Sequence, residues 1–134
     1  DSSRFDAFGL ADACLLGKLG EANRMLGHLK AEGNEPIMIL GAITRKIRQL
    51  IMLKNCSGAQ QLAEGFKQQF IWPKQQQPYK SALQRLSQKE LHRALRTAEA
   101  TDLAAKGSGD DPWLLLAQLI VILSGQTDNI FTLA

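Results

Sequence analysis

A chain of 134 residues is long enough for one domain, and an apolar share of 45% with 22% charged residues of mixed sign supplies a core and excludes disorder. The formal net charge of +3 is a mild basic lean, too small by itself to point to nucleic acid. No apolar run reaches the roughly 20 residues of a membrane span, and the longest, Trp113 to Leu123, is interrupted by Gln118, so no membrane partner is expected.

With five Phe, two Trp and one Tyr, the core must be built mainly from Leu, Ile and Ala, which favours helices. Asp6 is a candidate N-cap for a first helix over Asp6–Lys18, with Leu10, Cys14 and Leu15 on one side and Gly17 and Gly20 near its end. Glu21–Glu32 follows, with Ala22, Met25, Leu26 and Leu29 at the spacing of one helical face and Gly33 as a left-handed stop. Pro36 opens a third helix to about Asn55, where its missing N–H costs nothing; Ile39, Leu40, Ile43, Ile47, Leu50 and Ile51 form a wide apolar stripe, with Arg45, Lys46, Arg48 and Lys54 elsewhere. Ser57 is expected to cap a short helix carrying Leu62, Phe66 and Phe70 on its inner face. Pro73, the stretch Gln75–Gln77 and Pro78 then lead to another short helix with Tyr79, Ala82, Leu83 and Leu86.

The clearest local signal is Ser87-Gln88-Lys89-Glu90, a capping box in which serine and glutamate each satisfy the other's backbone N–H. The helix it starts runs to about Lys106 with Leu91, Ala94, Leu95, Ala98 and Leu103 inward. After the loop Gly107–Asp110, Asp111 caps a last helix with Pro112 in first position. That helix is apolar all round, so it belongs in the middle of the domain or docks on another chain. No segment alternates with the two-residue period of a strand, and the expectation is a compact all-α bundle of about six helices forming a single domain over residues 1–134.

Catalysis needs convergent polar groups, and the inventory offers none. His28 and His92 stand apart in charged helical surroundings and read as solvated surface histidines. Cys14 and Cys56 match no metal-ligand spacing and read as buried, reduced thiols of a cytoplasmic protein, a disulfide being the alternative. No Gly-rich loop ends in Lys-Ser or Lys-Thr, so no phosphate cradle is present. No catalytic, cofactor-binding or metal-binding residue is therefore assigned. Arg45, Lys46 and Arg48 of the third helix could meet phosphate, but they span most of a turn and fan out, as a solvated face does. The aromatics Trp72 and Tyr79 read as anchors of a packed loop, with base stacking as the alternative.

Several stretches taken together resemble one family. They are Asp12-Ala13; Leu16-Gly17-Lys18; Ala22 with Leu26 and Leu29; Glu32-Gly33-Asn34-Glu35-Pro36 leading into Leu40 and Arg45; Trp72; Ala82 through Gln88 with Leu91 and Ala94; and Thr101, Leu103, Lys106 and Trp113. In this order they are similar to the C-terminal domain of delta subunits of the bacterial DNA polymerase III clamp loader. The resemblance implies a helical collar domain that assembles a five-membered loader with gamma/tau-type and delta-prime-type subunits during DNA replication. It implies that an AAA+ N-terminal part, absent here, meets the sliding clamp. It further implies that polymerase catalysis lies in another subunit, that DNA is touched at most indirectly, and that the setting is bacterial cytoplasm. The start at Asp1 rather than Met fits the expectation of a C-terminal fragment. Relatives can carry an aromatic before the last helix, but Gly107-Ser108-Gly109-Asp110 has none, so the resemblance carries no template contact there.

The candidate partner interface comprises Arg45, Arg48, Arg93 and Arg96 on the polar faces of the third and sixth helices, with Trp113 and Leu115 at the start of the last. Arginine's planar fork suits interfaces because it makes several bonds at once. The reading of a different class is a helical nucleic-acid-binding module using the basic third helix.

Overall fold

The computed structural model describes residues 7–125, which form seven α-helices and one turn of 3-10 helix, with no strand among them. The helices are α1 (Ala7–Leu15), α2 (Leu19–Ala31), α3 (Pro36–Lys54), α4 (Gly58–Gln68), α5 (Gln76–Arg85), α6 (Gln88–Ala105) and α7 (Pro112–Ser124). The 3-10 turn covers Pro73–Gln75, between α4 and α5. The all-α expectation holds. The Asp6 cap lies outside the described residues.

The helix boundaries follow local chemistry. Pro36 and Pro112 sit in the first turns of α3 and α7, and the Asp111 carboxylate accepts from the Trp113 N–H at 2.9 Å. Ser87 and Glu90 close the expected capping box, at 3.1 Å and 2.9 Å. Ser57 departs from expectation. Its hydroxyl makes no cap bond, and instead its backbone N–H is taken by Gln61 Oε1 at 2.8 Å. The α1 helix stops at Leu15 rather than Lys18 because Gly17, at φ +80°, turns the chain left-handed; the Lys18 N–H then bonds the Ala13 carbonyl and the Gly17 N–H the Cys14 carbonyl.

The core is aliphatic, as the composition requires. Leu10, Leu15, Ile43, Ile47, Leu50, Leu116, Leu119 and Ile120 are fully inaccessible to solvent. The apolar α7 takes the central position: it packs on α6 and also touches α1, α2 and α3. Two expected core residues lie outside instead. Leu103, near the end of α6, is 61% exposed, and Phe70, just past α4, is 74% exposed. Phe70 adopts a left-handed φ of 59°, which throws its ring outward while the Ile71 N–H closes back on the Phe66 carbonyl.

One arginine ties distant helix ends together. From the last turn of α5, Arg85 Nη2 donates to the Leu15 carbonyl at the end of α1, and Nη1 donates to the Leu123 carbonyl of α7 at 3.3 Å. A cation suits both places because helix C-termini carry partial negative charge. Two left-handed glycines make room for it. A Cβ on Gly17 would lie 3.1 Å from the guanidinium carbon, and one on Gly125 would lie 2.8 Å from Nη1.

Candidate functional site

Among the described residues the titratable side chains lie dispersed over the helices. Among the described residues no group of three or more His, Cys, Asp or Glu could hold a metal ion. His28 pairs with Glu32 one turn on, at 3.3 Å, and His92 is exposed. Cys14 and Cys56 are both free thiols, and only Cys14 is buried; Cys56 is half-buried, which corrects the expectation of two buried thiols. Burial pushes the Cys14 thiol up to about 12, outweighing a backbone hydrogen bond and the nearby Arg85, so it is no nucleophile at neutral pH. No described helix is long and apolar enough to cross a membrane.

What the helices build instead is two open clefts on either side of α3. The first, of about 770 Å³, runs between α3 and α6. Ile37, Leu40, Gly41 and Thr44 on one side and Ala98 and Leu103 on the other supply an apolar floor. Arg45 and Arg48 edge it along α3, while Glu99 and Asp102 edge it along α6. The spacing explains the lining: positions 37, 41, 44, 45 and 48 recur at three- and four-residue steps and so share one face of a helix.

The second cleft, of about 500 Å³, lies between α3, the start of α1 and the segment joining α4 to α5. Its rim carries the exposed rings of Phe8, Phe70 and Trp72 together with Arg45 and Lys74. Deeper in, Lys46 Nζ donates to the Tyr79 hydroxyl at 3.1 Å, sits 4.9 Å from the Tyr79 ring centroid and pairs with Asp12 at 3.5 Å. The Tyr79 hydroxyl in turn donates to Gln49 Oε1 at 2.6 Å. Lys46 is therefore held inside the structure rather than on a solvated face, and the same is true of Lys54, which donates to the Leu83 carbonyl at 2.6 Å. Of the two aromatics expected to anchor this loop, Tyr79 does so, whereas Trp72 is 60% exposed.

The six candidate interface residues do not share one surface. Arg45 and Arg48 edge the α3–α6 groove. Arg93 lines a smaller cleft of about 350 Å³ between α6 and α7 with Thr97, Gln118, Val121 and Ile122. Arg96 is exposed and lines none of the three clefts just described. Trp113 is half-buried, with Lys30 Nζ 5.4 Å from its ring centroid, and Leu115 is half-buried nearby. Sequence reasoning missed Glu99, Asp102 and Gly41 in the groove, and Phe8 and Phe70 at the aromatic rim. The recurrence of position 41 with 37, 45 and 48 on one face was the signal for Gly41. No local signal marked Phe70 as outward.

The family model described as the processivity clamp loader gamma complex DNA polymerase III C-terminal domain matches residues 7–129. DNA polymerase III subunit delta of Escherichia coli (strain K12) is 32% identical over 124 residues, covering 92% of this chain and 36% of that protein. The subunit delta of Haemophilus influenzae (strain ATCC 51907 / DSM 11121 / KW20 / Rd) is 31% identical over 130 residues, covering 90% of this chain and 38% of that protein. The chain thus spans a little over a third of the length of the curated relatives it matches. With a family match running from α1 past α7 and two delta subunits more than 30% identical over most of its length, the chain belongs to the family of C-terminal domains of the DNA polymerase III clamp-loader delta subunit.

Proposed function

We propose that this domain is an assembly module of a bacterial clamp loader: the collar piece by which a delta-type subunit joins gamma/tau-type and delta-prime-type subunits in a ring of five that places the sliding clamp on primed DNA. The observation that carries the reading is the family match across residues 7–129. On this reading the rest of a longer polypeptide supplies the AAA+ part and the clamp contact, polymerase catalysis belongs to another subunit, and the work is done in the cytoplasm. The experiment is reconstitution. The full-length protein and the same protein lacking this domain are each mixed with the purified partner subunits and run on a sizing column. The full-length protein should enter a stable loader and the truncated one should not, while still binding the clamp. Assembly that proceeds without the domain sinks the reading.

A second reading is favoured by the aromatic cleft beside α3. Three exposed rings, Phe8, Phe70 and Trp72, with Arg45 and Lys74 beside them, are the ingredients of a single-strand stacking platform. The exposed indole offers its own assay. Titration with a single-stranded oligonucleotide should quench Trp72 fluorescence, binding should weaken steeply with salt, and Trp72→Ala should weaken it by about 1–3 kcal/mol. No binding at about 50 mM salt, where phosphate contacts are strong, excludes this reading.

A further inference from the structure

We propose that the groove between α3 and α6 receives an amphipathic helix of a neighbouring clamp-loader subunit, seated over Gly41, with its acidic edge toward Arg45 and Arg48 and its basic edge toward Glu99 and Asp102. The proposal rests on the assembly reading and adds the chemistry and orientation of the partner.

Three observations point to that occupant. The floor is apolar and unfinished: Ile37 and Leu103 are 39% and 61% exposed beside the buried Leu40 and Ala98, so side chains from outside would complete it. The walls carry opposite charge. Among the described residues Arg45, Arg48 and Glu99 make no ion pair, and Asp102 pairs only with its own helix neighbour Lys106, at 2.9 Å. Cations along one wall and carboxylates along the other select an occupant with the opposite arrangement and fix which way it lies. The third observation is Gly41 itself. Glycine in a helix interior is less favourable than alanine, Gly41 has no positive φ, and a Cβ added there would meet nothing within 4 Å. The domain's own packing gives no reason for the missing side chain. Gly27 in α2 is equally open, but Gly41 stands in the floor of a groove whose walls are already charged for a partner, where the missing Cβ lets another backbone approach closely.

The test uses the full-length chain and the purified partner subunits, without nucleic acid, with affinity read by a surface or calorimetric method. Gly41→Leu fills the floor. Its melting temperature should equal or exceed the parent's, while partner affinity should fall about tenfold or more, as for loss of a central contact. Arg45→Glu with Arg48→Glu should weaken binding comparably, most at low salt. Adding Glu99→Lys and Asp102→Lys restores the net charge but reverses the polarity of the groove, so binding should stay weak. Recovery in that fourfold variant would mean that only net charge matters and would overturn the proposal. So would unchanged affinity in Gly41→Leu while deletion of the whole domain abolishes assembly; that result leaves the assembly reading standing. If deletion has no effect, both readings fall. If the variants bind partners normally but the full-length chain loses protease resistance, the occupant is a segment of the same polypeptide and the proposal is wrong.

Discussion

Replacing Arg85 by methionine keeps the aliphatic stem and removes the guanidinium that bonds both the Leu15 and Leu123 carbonyls. A hydrogen bond from a charged donor contributes about 1.5–3 kcal/mol. Here one of the two is long, at 3.3 Å, so the pair falls toward the lower end of its range. Two terms reduce the net. Burial lowers the affinity of the guanidinium for its proton, a sign that it is held partly out of water at a cost, and its Nε is buried with no hydrogen-bond partner. One term adds, because both carbonyls close helix ends whose partial negative charge favours a cation. The balance is a loss of about 2–3 kcal/mol, which for a domain of this size lowers the melting temperature by roughly 10 °C. Thermal unfolding followed by circular dichroism at 222 nm measures it. Arg85→Lys, with a single ammonium that cannot span both carbonyls, should fall between parent and Arg85→Met. A shift of less than about 2 °C in Arg85→Met, or a lysine variant as stable as the parent, would refute the idea that this tie holds α1 and α7 together.

Leu119→Asp puts a carboxylate into the fully buried middle of α7 and should leave the domain unfolded or molten, a loss of several kcal/mol seen as absent cooperative melting. Tyr79→Phe keeps the ring under Lys46 but strips the buried Gln49 of its 2.6 Å donor, so denaturant unfolding should show about 1–2 kcal/mol less stability at unchanged m-value. A thiol reagent at pH 8 should titrate Cys56 and spare Cys14 in the folded protein, and find both after denaturation. The folded state holds the Cys14 proton more tightly than the unfolded chain does. Unfolding therefore releases a proton above the ordinary value of 9.0, and stability should fall as pH rises from 9.0 toward 12; a flat profile there contradicts the burial of the thiol.

Most elements set by neighbours in sequence were legible, the Ser57 cap being an exception, and many set by neighbours in space were not, although the all-round apolar α7 announced its central place. The Ser87–Glu90 box, the prolines opening α3 and α7 and the turn at Gly33 work over a few residues, so they could be read directly. Arg85 acts on a carbonyl 70 positions away; before the fold is known it is one more arginine in an α5 face. Lys46 looked solvated because its charge was visible and its partners, Tyr79 and Asp12, were 33 and 34 positions off. Leu103 and Phe70 looked inward because large apolar residues usually are, and only the packing shows that α6 buries Thr101 and Ala104 while turning Leu103 to the open groove, and that the chain turns left-handed at Phe70. The candidate interface was legible as a set of arginines on polar helix faces. Their dispersal, with Arg45 and Arg48 at the α3–α6 groove, Arg93 in the α6–α7 cleft and Arg96 in none, depends on how α6 is rotated against α3 and α7, which residue spacing alone does not fix.

The central place of α7 also bears on when the domain can form during synthesis. Ribosomes deliver the chain from its N-terminus, yet the helix that covers the inner faces of α1, α2, α3 and α6 is the last of the seven to emerge. Until Pro112–Ser124 is out, α1, α2, α3, α5 and α6 can meet one another, but the faces that pack on α7, above all that of α6, stay open and apolar. Folding is therefore held back to the end of the domain's translation. A chain stalled in the Gly107–Asp110 loop should be sticky, rapidly degraded and dependent on chaperones, whereas one carrying an added linker long enough to bring Ser124 out of the ribosome tunnel should already be compact.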